Sequence, residues 1–434
     1  MMKRILALVL AMIMALSLVA CGGGAKEEPK PEGEVAQKPA ESGDSEEWSL
    51  GVDTIKIGFV GPQSGPSVAM GMSGVDGATL AVEKINAAGG VGGAMLELVT
   101  RDDEADPTKS FTYVEELIYK EDIDMLIGAP NSACTAAALE VITENKIIDI
   151  LCTATSAAIV DPELYPYTFR TCATNDTQAE RLIQIAKEEG YKKIVAIGDT
   201  SALGIDGFAS TKKYAEQYGV DVVEYISYTA GDADLTAVAN SIKNAGADCV
   251  LGWALSGDAA KILKALDRID YLSQCVILGY GGFYSNTFPE LLGDIDTSNC
   301  SYLNFYPWAL VPGGESLGEK SQAYYDEFKD RFGAFKTDGS GRASTNGDAN
   351  RVTEAIYLYC AMVEKVQSLD PDLIKEALET EAVNYQVQTY TWDGGYSFSA
   401  TDHEGYNADQ LCRAVCASNP VNDYVDGDCV IAMD

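Results

Sequence analysis

The feature that most restricts the fold is an alternation of strand and helix signals that begins at Ile55 and reaches Leu266 in two sets. Ile55–Val60 is a β-branched run; Ala78, Ala81, Val82 and Ile85 recur behind it at helical spacing, and Gly89-Gly90 ends that helix. Leu96–Thr100 reads as a second strand. Asp106-Pro107 then opens a helix to about Lys120, with the aspartate as cap and the proline in the first turn. Met125–Ile127 is a short strand, Ser132–Asn145 a helix and Ile147–Leu151 a strand. The alternation resumes with Ala179–Glu189, Ile194–Ile197, Gly207–Tyr218, Val220–Tyr225, Leu235–Asn244, Cys249–Leu251 and Ala259–Leu266. Such an order predicts parallel sheets covered by helices on both faces, and two sets in series predict two similar α/β lobes.

After about Cys300 the pattern changes. Tyr302–Pro307 is aromatic and extended, helices follow near Lys320–Phe332 and Arg351–Gln367, and Pro371 opens another to Glu379. From Val387 onward, short strands with Gly-rich turns end the chain. Helices this late must pack on a sheet already built, so the chain is expected to cross between lobes more than once. That makes a hinge of several strands.

The N-terminus carries a different kind of signal. Lys3 and Arg4, an apolar run from Ile5 to Ala20 and small residues before Cys21 describe a secretory signal peptide over residues 1–20. The run is shorter than the roughly 20 residues of a spanning helix. Its ending, Leu18-Val19-Ala20-Cys21, resembles the lipobox of bacterial lipoproteins. That resemblance implies lipidation of Cys21, and a diacylated cysteine, because one acyl chain gives only marginal membrane binding. Residues 21–52 would then be the anchor and a flexible tether, since Gly22–Ser49 is rich in Gly, Pro, Glu and Lys and has almost nothing to bury. The working part is extracytoplasmic on this reading and starts near Asp53.

A formal charge of −35 argues against nucleic acid and against lying on anionic lipid, and reads as mostly solvated acidic faces. Beyond Cys21 stand ten cysteines: Cys134, Cys152, Cys172, Cys249, Cys275, Cys300, Cys360, Cys412, Cys416 and Cys429. Several lie inside apolar patterns, where a free thiol packs as a small hydrophobe. Cys412 and Cys416 share a face if their segment is extended, and a hairpin would bring Cys429 to either, so pairing stays open there. Metal binding is disfavoured, because no Cys-x-x-Cys occurs and His403 is the sole histidine.

Several segments together resemble the branched-chain amino-acid-binding proteins of ABC importers. They are Ile55-Lys-Ile-Gly-Phe-Val-Gly-Pro-Gln-Ser-Gly-Pro66, Gly71, Gly77 through Gly93, Arg101-Asp-Asp-Glu-Ala-Asp-Pro107 and Ser399-Ala-Thr-Asp-His-Glu-Gly405. The resemblance covers essentially all of 53–434 and implies the type I periplasmic-binding-protein fold: two doubly wound parallel-sheet lobes, three crossovers and a ligand in the cleft. On that pattern lobe 1 is 53–172 plus 303–383, and lobe 2 is 173–302 plus 384–434. The crossovers fall near Thr171–Thr174, Tyr302–Phe305 and Val383–Tyr385. The partners implied are a small-molecule ligand and ABC permease subunits, with no cofactor, no metal and no nucleic acid.

The strongest site reading falls on Gly128-Ala-Pro-Asn-Ser-Ala-Cys-Thr135, where a strand ends and a helix begins with Ser132 at its cap. Free amides and the dipole at a helix start attract a carboxylate, although an ordinary N-cap explains a serine there equally well. In the family this segment resembles, the matching serine holds the ligand's α-carboxylate. The next strand end, Leu151-Cys-Thr-Ala-Thr155, is implied to add the Thr153 carbonyl for the ammonium and the Thr155 hydroxyl and amide for the carboxylate.

The other half of the family's site is altered. Met70 stands where an aromatic residue often precedes the glycine, Leu203-Gly204 where Tyr-Gly is common, and Gly281 where amino-acid binders place a glutamate for the ammonium. A buried ammonium without a carboxylate is costly. Either Asp206 or Asp258 takes that role, or the ligand has no α-ammonium. Trp253 and Tyr280 are candidates to enclose an apolar or aromatic part, against core or hinge packing.

The resulting expectation is a solute-binding lipoprotein that closes on an amino acid or related small carboxylate. The alternative is a sensing ectodomain that reports ligand to a membrane receptor. An enzyme is disfavoured. Gly61-Pro-Gln-Ser-Gly65 has the wrong spacing for a nucleophile elbow, His403 sits in a late turn motif with a structural role, and Asp102-Asp103 read as solvated acids at a strand end.

Overall fold

The computed structural model describes residues 48–64, 68–283, 291–305, 310–311, 315–316, 319–333, 346–389, 395–406, 408, 411–415, 424–425 and 428–429. Residues 1–47, where the leader, Cys21 and the tether are expected, and Cys416 lie outside the described residues, as do the side chains of Cys412 and Cys429. No helix among the described residues is long and apolar enough to cross a membrane.

The first sheet is built from β1 (Thr54–Gly61), β2 (Met95–Asp102), β3 (Met125–Ile127), β4 (Ile148–Leu151) and β5 (Thr168–Arg170), in the order β2-β1-β3-β4-β5. All four pairings are parallel. Its connecting helices are α1 (Val68–Ala87), α2 (Pro107–Tyr119) and α3 (Ser132–Glu144). Asp106 caps α2 as its sequence suggests, accepting the Thr108 and Lys109 amides at 2.7 and 3.1 Å. Strands covered on both faces read as continuous apolar runs, which is why Ile55, Ile57, Phe59 and Val60 are all buried.

The second sheet repeats the plan with β6 (Ile194–Asp199), β7 (Val222–Tyr228), β8 (Cys249–Trp253), β9 (Val276–Gly279) and β10 (Cys300–Phe305). They stand in the order β7-β6-β8-β9-β10. The helices here are α4 (Asn175–Glu188), α5 (Ala202–Tyr218), α6 (Thr236–Ala245) and α7 (Ser256–Arg268). Two small hairpin strands, β11 (Leu310–Val311) and β12 (Glu315–Ser316), follow β10, and β13 (Leu411–Val415) later joins β10 antiparallel at the sheet edge. The two lobes are therefore the same doubly wound unit used twice. β5 and β9 are absent from the sequence reading: Thr168-Phe169-Arg170 carries no apolar run, whereas Val276-Ile277-Leu278 carries one that the reading passed over.

The late helices α8 (Glu319–Phe332), α9 (Asn346–Val366) and α10 (Pro371–Glu381) complete the first lobe. α9 lies on α1 so closely that a Cβ on Gly77 would stand 2.0 Å from the Ala349 carbonyl oxygen. Thr353 Oγ1 donates to the Gly77 carbonyl at 2.8 Å across the same contact. The stretch 395–405, grouped above with the second lobe, lies on the first sheet. The Arg170 amide donates to the His403 carbonyl and the Gly405 amide to the Arg170 carbonyl, both at 2.9 Å, beside β5. The chain reaches the second sheet again at β13.

At the other end of the first sheet, Trp48 and Leu50 close on the turn before β2. The Leu50 amide donates to the Gly92 carbonyl at 3.0 Å, and a side chain at Gly92 would collide with the Trp48 ring. Cys134, Cys152, Cys172, Cys249, Cys275, Cys300 and Cys360 are buried free thiols, as small hydrophobes in a core should be.

Candidate functional site

In an open doubly wound sheet, ligands bind beyond the carboxyl ends of the strands, where the strand order reverses. That point lies between β1 and β3 in the first sheet and between β6 and β8 in the second. The chain segments there are the start of α1 after β1, the start of α3 after β3, the start of α5 after β6 and the start of α7 after β8. Two glycines keep the first turns tight. A Cβ on Gly71 would lie 1.9 Å from the Pro62 carbonyl oxygen, and one on Gly204 would lie 1.9 Å from that of Asp199.

The two helix starts that face the site differ in how their amides are used. At α5, Ser201 Oγ accepts the Leu203 amide and Asp199 Oδ1 accepts those of Ser201 and Gly204. At α3 the cap residue is Asn131 and not Ser132, and the Asn131 side chain makes no cap hydrogen bond. Its carbonyl takes the Cys134 and Thr135 amides at 3.0 Å each, while the Ser132 and Ala133 amides have no acceptor among the described residues. Displacing Ser132 into the first turn frees its hydroxyl, which accepts the Ser156 amide at 3.2 Å. An uncapped helix start is the end of a macrodipole that favours an anion.

The loop after β4 stands beside it. The Thr155 carbonyl accepts the Asn175 amide at 3.3 Å, whereas the Thr155 amide and hydroxyl and the Thr153 carbonyl have no partner among the described residues. Ser156, missed in the sequence, links three groups. Its amide reaches Ser132, its Oγ donates to Asp206 Oδ2 of α5 at 3.4 Å, and its carbonyl accepts from Arg170 Nη2 at 2.7 Å. No local pattern marked Ser156, although it adjoins Thr155.

The structure separates the remaining candidates. Asp206 is half-buried, and Ser156 is its one recorded polar partner among the described residues. Asp258 is buried and engaged: its carboxylate takes the Gly231 amide at 2.8 Å and Lys261 Nζ at 2.9 Å. Met70 and Leu203 are half-buried in the first turns of α1 and α5. Trp253 has no exposed surface; its indole N–H donates to Thr211 Oγ1 at 2.9 Å, and its ring leaves no room for a side chain on Gly207. That is core packing beneath α5. Tyr280 is buried beside it, ring centroids 5.4 Å apart, and burial raises its hydroxyl pKa. The Gly281 amide donates to Gln178 Oε1 at 2.7 Å, and a Cβ there would lie 3.1 Å from the same oxygen. The amide of Gln178, a residue the sequence reading passed over, occupies the space beside this glycine.

The acids set aside as solvated are otherwise placed. Asp103 is buried and accepts the Ala105 amide at 2.9 Å, and burial raises its carboxyl pKa. Asp102 accepts the Gln63 amide at 2.7 Å, tying β2 to the loop after β1. His403 is buried and stacked on Phe169 at 3.9 Å; Nδ1 donates to the Thr168 carbonyl and Nε2 lies 3.1 Å from Glu379 Oε1. Burial lowers its pKa, and no nucleophile is among its recorded partners.

Two lobes of one plan that face each other across their strand ends, around open donors and one acid, have the architecture of type I periplasmic binding proteins. Comparison with known proteins agrees. The chain belongs to the periplasmic binding protein family, whose profile matches residues 54–414, and its relatives are the branched-chain amino-acid-binding proteins. It is 26% identical over 332 residues to the leucine-, isoleucine-, valine-, threonine- and alanine-binding protein of Pseudomonas aeruginosa, over 76% of this chain and 83% of that one. It is 30% identical over 252 residues to a Leu/Ile/Val-binding protein homologue of Brucella melitensis, over 58% of this chain and 67% of that one. Among solved structures, it resembles the branched-chain amino acid transporter substrate-binding protein LivJ of Streptococcus pneumoniae in complex with isoleucine. That match has a TM-score of 0.68 and 22% identity over 88% of this chain and all of the other. A solute-binding protein of an ABC transporter from Rhodopseudomonas palustris, in complex with p-hydroxybenzoic acid, matches with a TM-score of 0.71 and 22% identity, over 88% of this chain and 96% of that one. The family consists of extracytoplasmic solute-binding proteins and not of enzymes.

Proposed function

We propose that this protein is the solute-binding lipoprotein of an ABC importer, anchored through Cys21, and that it closes its two lobes on an α-amino acid with an apolar side chain. One observation carries the reading of the ligand: unclaimed amides at the start of α3 on one lobe stand opposite the Asp206 carboxylate on the other, which is engaged only by a long contact from Ser156, and that single residue spans the two. So short a span suits charges one carbon apart, as in an α-amino acid. The ligand's carboxylate would meet the Ser132 and Thr155 hydroxyls and the free amides, and its ammonium the Thr153 carbonyl and Asp206. Met70 and Leu203 would border the side chain. Asp206 on this reading does the work of the glutamate that Gly281 replaces. A ligand touching both lobes biases the open–closed equilibrium toward closure, and the closed form is what a permease would receive.

Titration calorimetry with leucine, valine and 4-hydroxybenzoate tests this. Ser132→Ala and Thr155→Ala are each expected to weaken leucine binding by roughly 10- to 100-fold, the worth of one hydrogen bond to a charged group. Asp206→Asn is expected to weaken leucine strongly and to spare any ligand without an ammonium. Wild-type affinity in both alanine variants would refute the site.

A further inference from the structure

Arg170 ends β5, at the point where the chain leaves the first sheet, and its side chain has no exposed surface. A guanidinium there requires a counter-charge, because burying an unpaired ion costs several kcal/mol. The counter-charge is Glu404, whose Oε2 lies 3.2 Å from Arg170 Nε in an ion pair without an aligned hydrogen bond. Glu404 is fixed beside it by the backbone pairing of His403 and Gly405 with Arg170. The other side of the guanidinium faces the candidate site: Nη2 donates to the Ser156 carbonyl at 2.7 Å. The same carbonyl takes only a long contact, 3.5 Å, from the Ile159 amide, and the other polar contacts of Ser156 are those to Ser132 and Asp206, so this shorter hydrogen bond aims the loop that both lobes meet.

We propose that Arg170, retained by Glu404, is a positioning residue that holds the Thr155–Ser156 loop in its ligand-competent place and so connects the hinge to the cleft. The hold itself is a property of the empty protein; its effect on ligand rests on the reading of the site given above. It is also sensitive to protons. Burial pushes the Glu404 carboxyl up to about 7, opposed by the Arg170 charge and reinforced by Asp402 on its own stretch and Asp176 on α4. Asp176 is itself paired with Lys213 of α5. Above pH 7 Glu404 is ionised and the pair is complete. Below it Glu404 is protonated, Arg170 is left in the interior without a counter-ion, and the loop yields to let water reach the guanidinium.

The test is hydrogen–deuterium exchange of residues 153–157 in the ligand-free protein at pH 6 and pH 8, corrected for intrinsic rates, alongside leucine affinity at both. In the wild type, protection of the Ser156 amide is expected to rise about tenfold from pH 6 to pH 8, the span over which Glu404 changes from mostly protonated to mostly ionised. Glu404→Gln, close in shape and uncharged, should show the low protection at both values. Arg170→Lys, which keeps the charge but loses the second prong, should lose protection at pH 8 while its circular dichroism matches the wild type. A wild-type pH profile in Glu404→Gln, or undiminished protection in folded Arg170→Lys, overturns the proposal. If exchange responds as stated while leucine affinity does not, the positioning role stands and the ligand site lies elsewhere.

Discussion

Replacing Asp149 by asparagine is expected to make the protein more stable at pH 8, by an amount on the order of 5 kcal/mol. Asp149 lies in β4 with no exposed surface, and neither carboxylate oxygen has a well-aligned hydrogen-bond partner among the described residues. Gly128 presses on it so closely that a Cβ there would lie 2.6 Å from Oδ1. Burial pushes its carboxyl up to about 8, and the Gly128 amide opposes this only in part. The folded protein therefore holds a proton that the unfolded chain releases near pH 4. A carboxyl raised on folding contributes stability that is fully present below its unfolded pKa and is lost as pH rises through its folded value. For Asp149 that window runs from about pH 4 to about pH 8. Asparagine is neutral throughout, so its advantage grows across the window. Urea unfolding midpoints at pH 5 and pH 8 decide it: an advantage that does not widen with pH would mean that the buried carboxyl has found a donor.

The second large effect is of opposite sign. Gly77→Ala ought to destabilise the first lobe by about 3 kcal/mol, at the upper end of what overpacking a tight core costs. Position 77 lies within α1, where alanine for glycine normally gains about 1 kcal/mol of helix propensity. Against this, the new methyl would meet the Ala349 carbonyl oxygen at 2.0 Å and its carbon at 2.7 Å, both backbone atoms of α9 that cannot swing aside. The Thr353 hydroxyl, bonded to the Gly77 carbonyl at 2.8 Å and to Tyr324 at 2.9 Å, fixes the same spacing. Sterics exceed propensity, and α1 and α9 must separate. A gain in unfolding midpoint would show instead that the two helices slide freely.

Most of the architecture was legible in the sequence, for physical reasons that differ by element. β1, α2 and α3 carried long apolar runs, a cap and a proline, and their boundaries fall within a residue or two of those read from the chain. β5 was silent, since Thr168-Phe169-Arg170 offers a single apolar residue, whereas the equally short β3 is an apolar run. The segment 395–405 was grouped with the wrong neighbours because its pairing to β5 spans more than two hundred residues of sequence. At the site, a helix start after a strand end was readable, but which residue caps it was not: Asn131 and Ser132 are both good cap formers, and only the backbone angles distinguish them. Ser156, Arg170 and Gln178 matter through contacts at distances of 14 to 103 residues along the chain, and no spacing rule reaches so far. Trp253 was left open between ligand contact and core packing. An aromatic residue at a strand end invites a ligand, yet here it fills the space that Gly207 leaves open.

Trp48 has a mechanical meaning. Its ring lies on the turn at Gly92, just before β2, and Met95 of β2 pairs with Thr54 at the start of β1. The polypeptide thus enters the folded body at the floor of the first sheet, the edge away from the strand ends that surround the site. Any pull delivered along the upstream chain is taken up by that floor and by the Leu50–Gly92 hydrogen bond. If the upstream chain is the anchor proposed above, it holds the body by the heel and leaves the jaws free to swing.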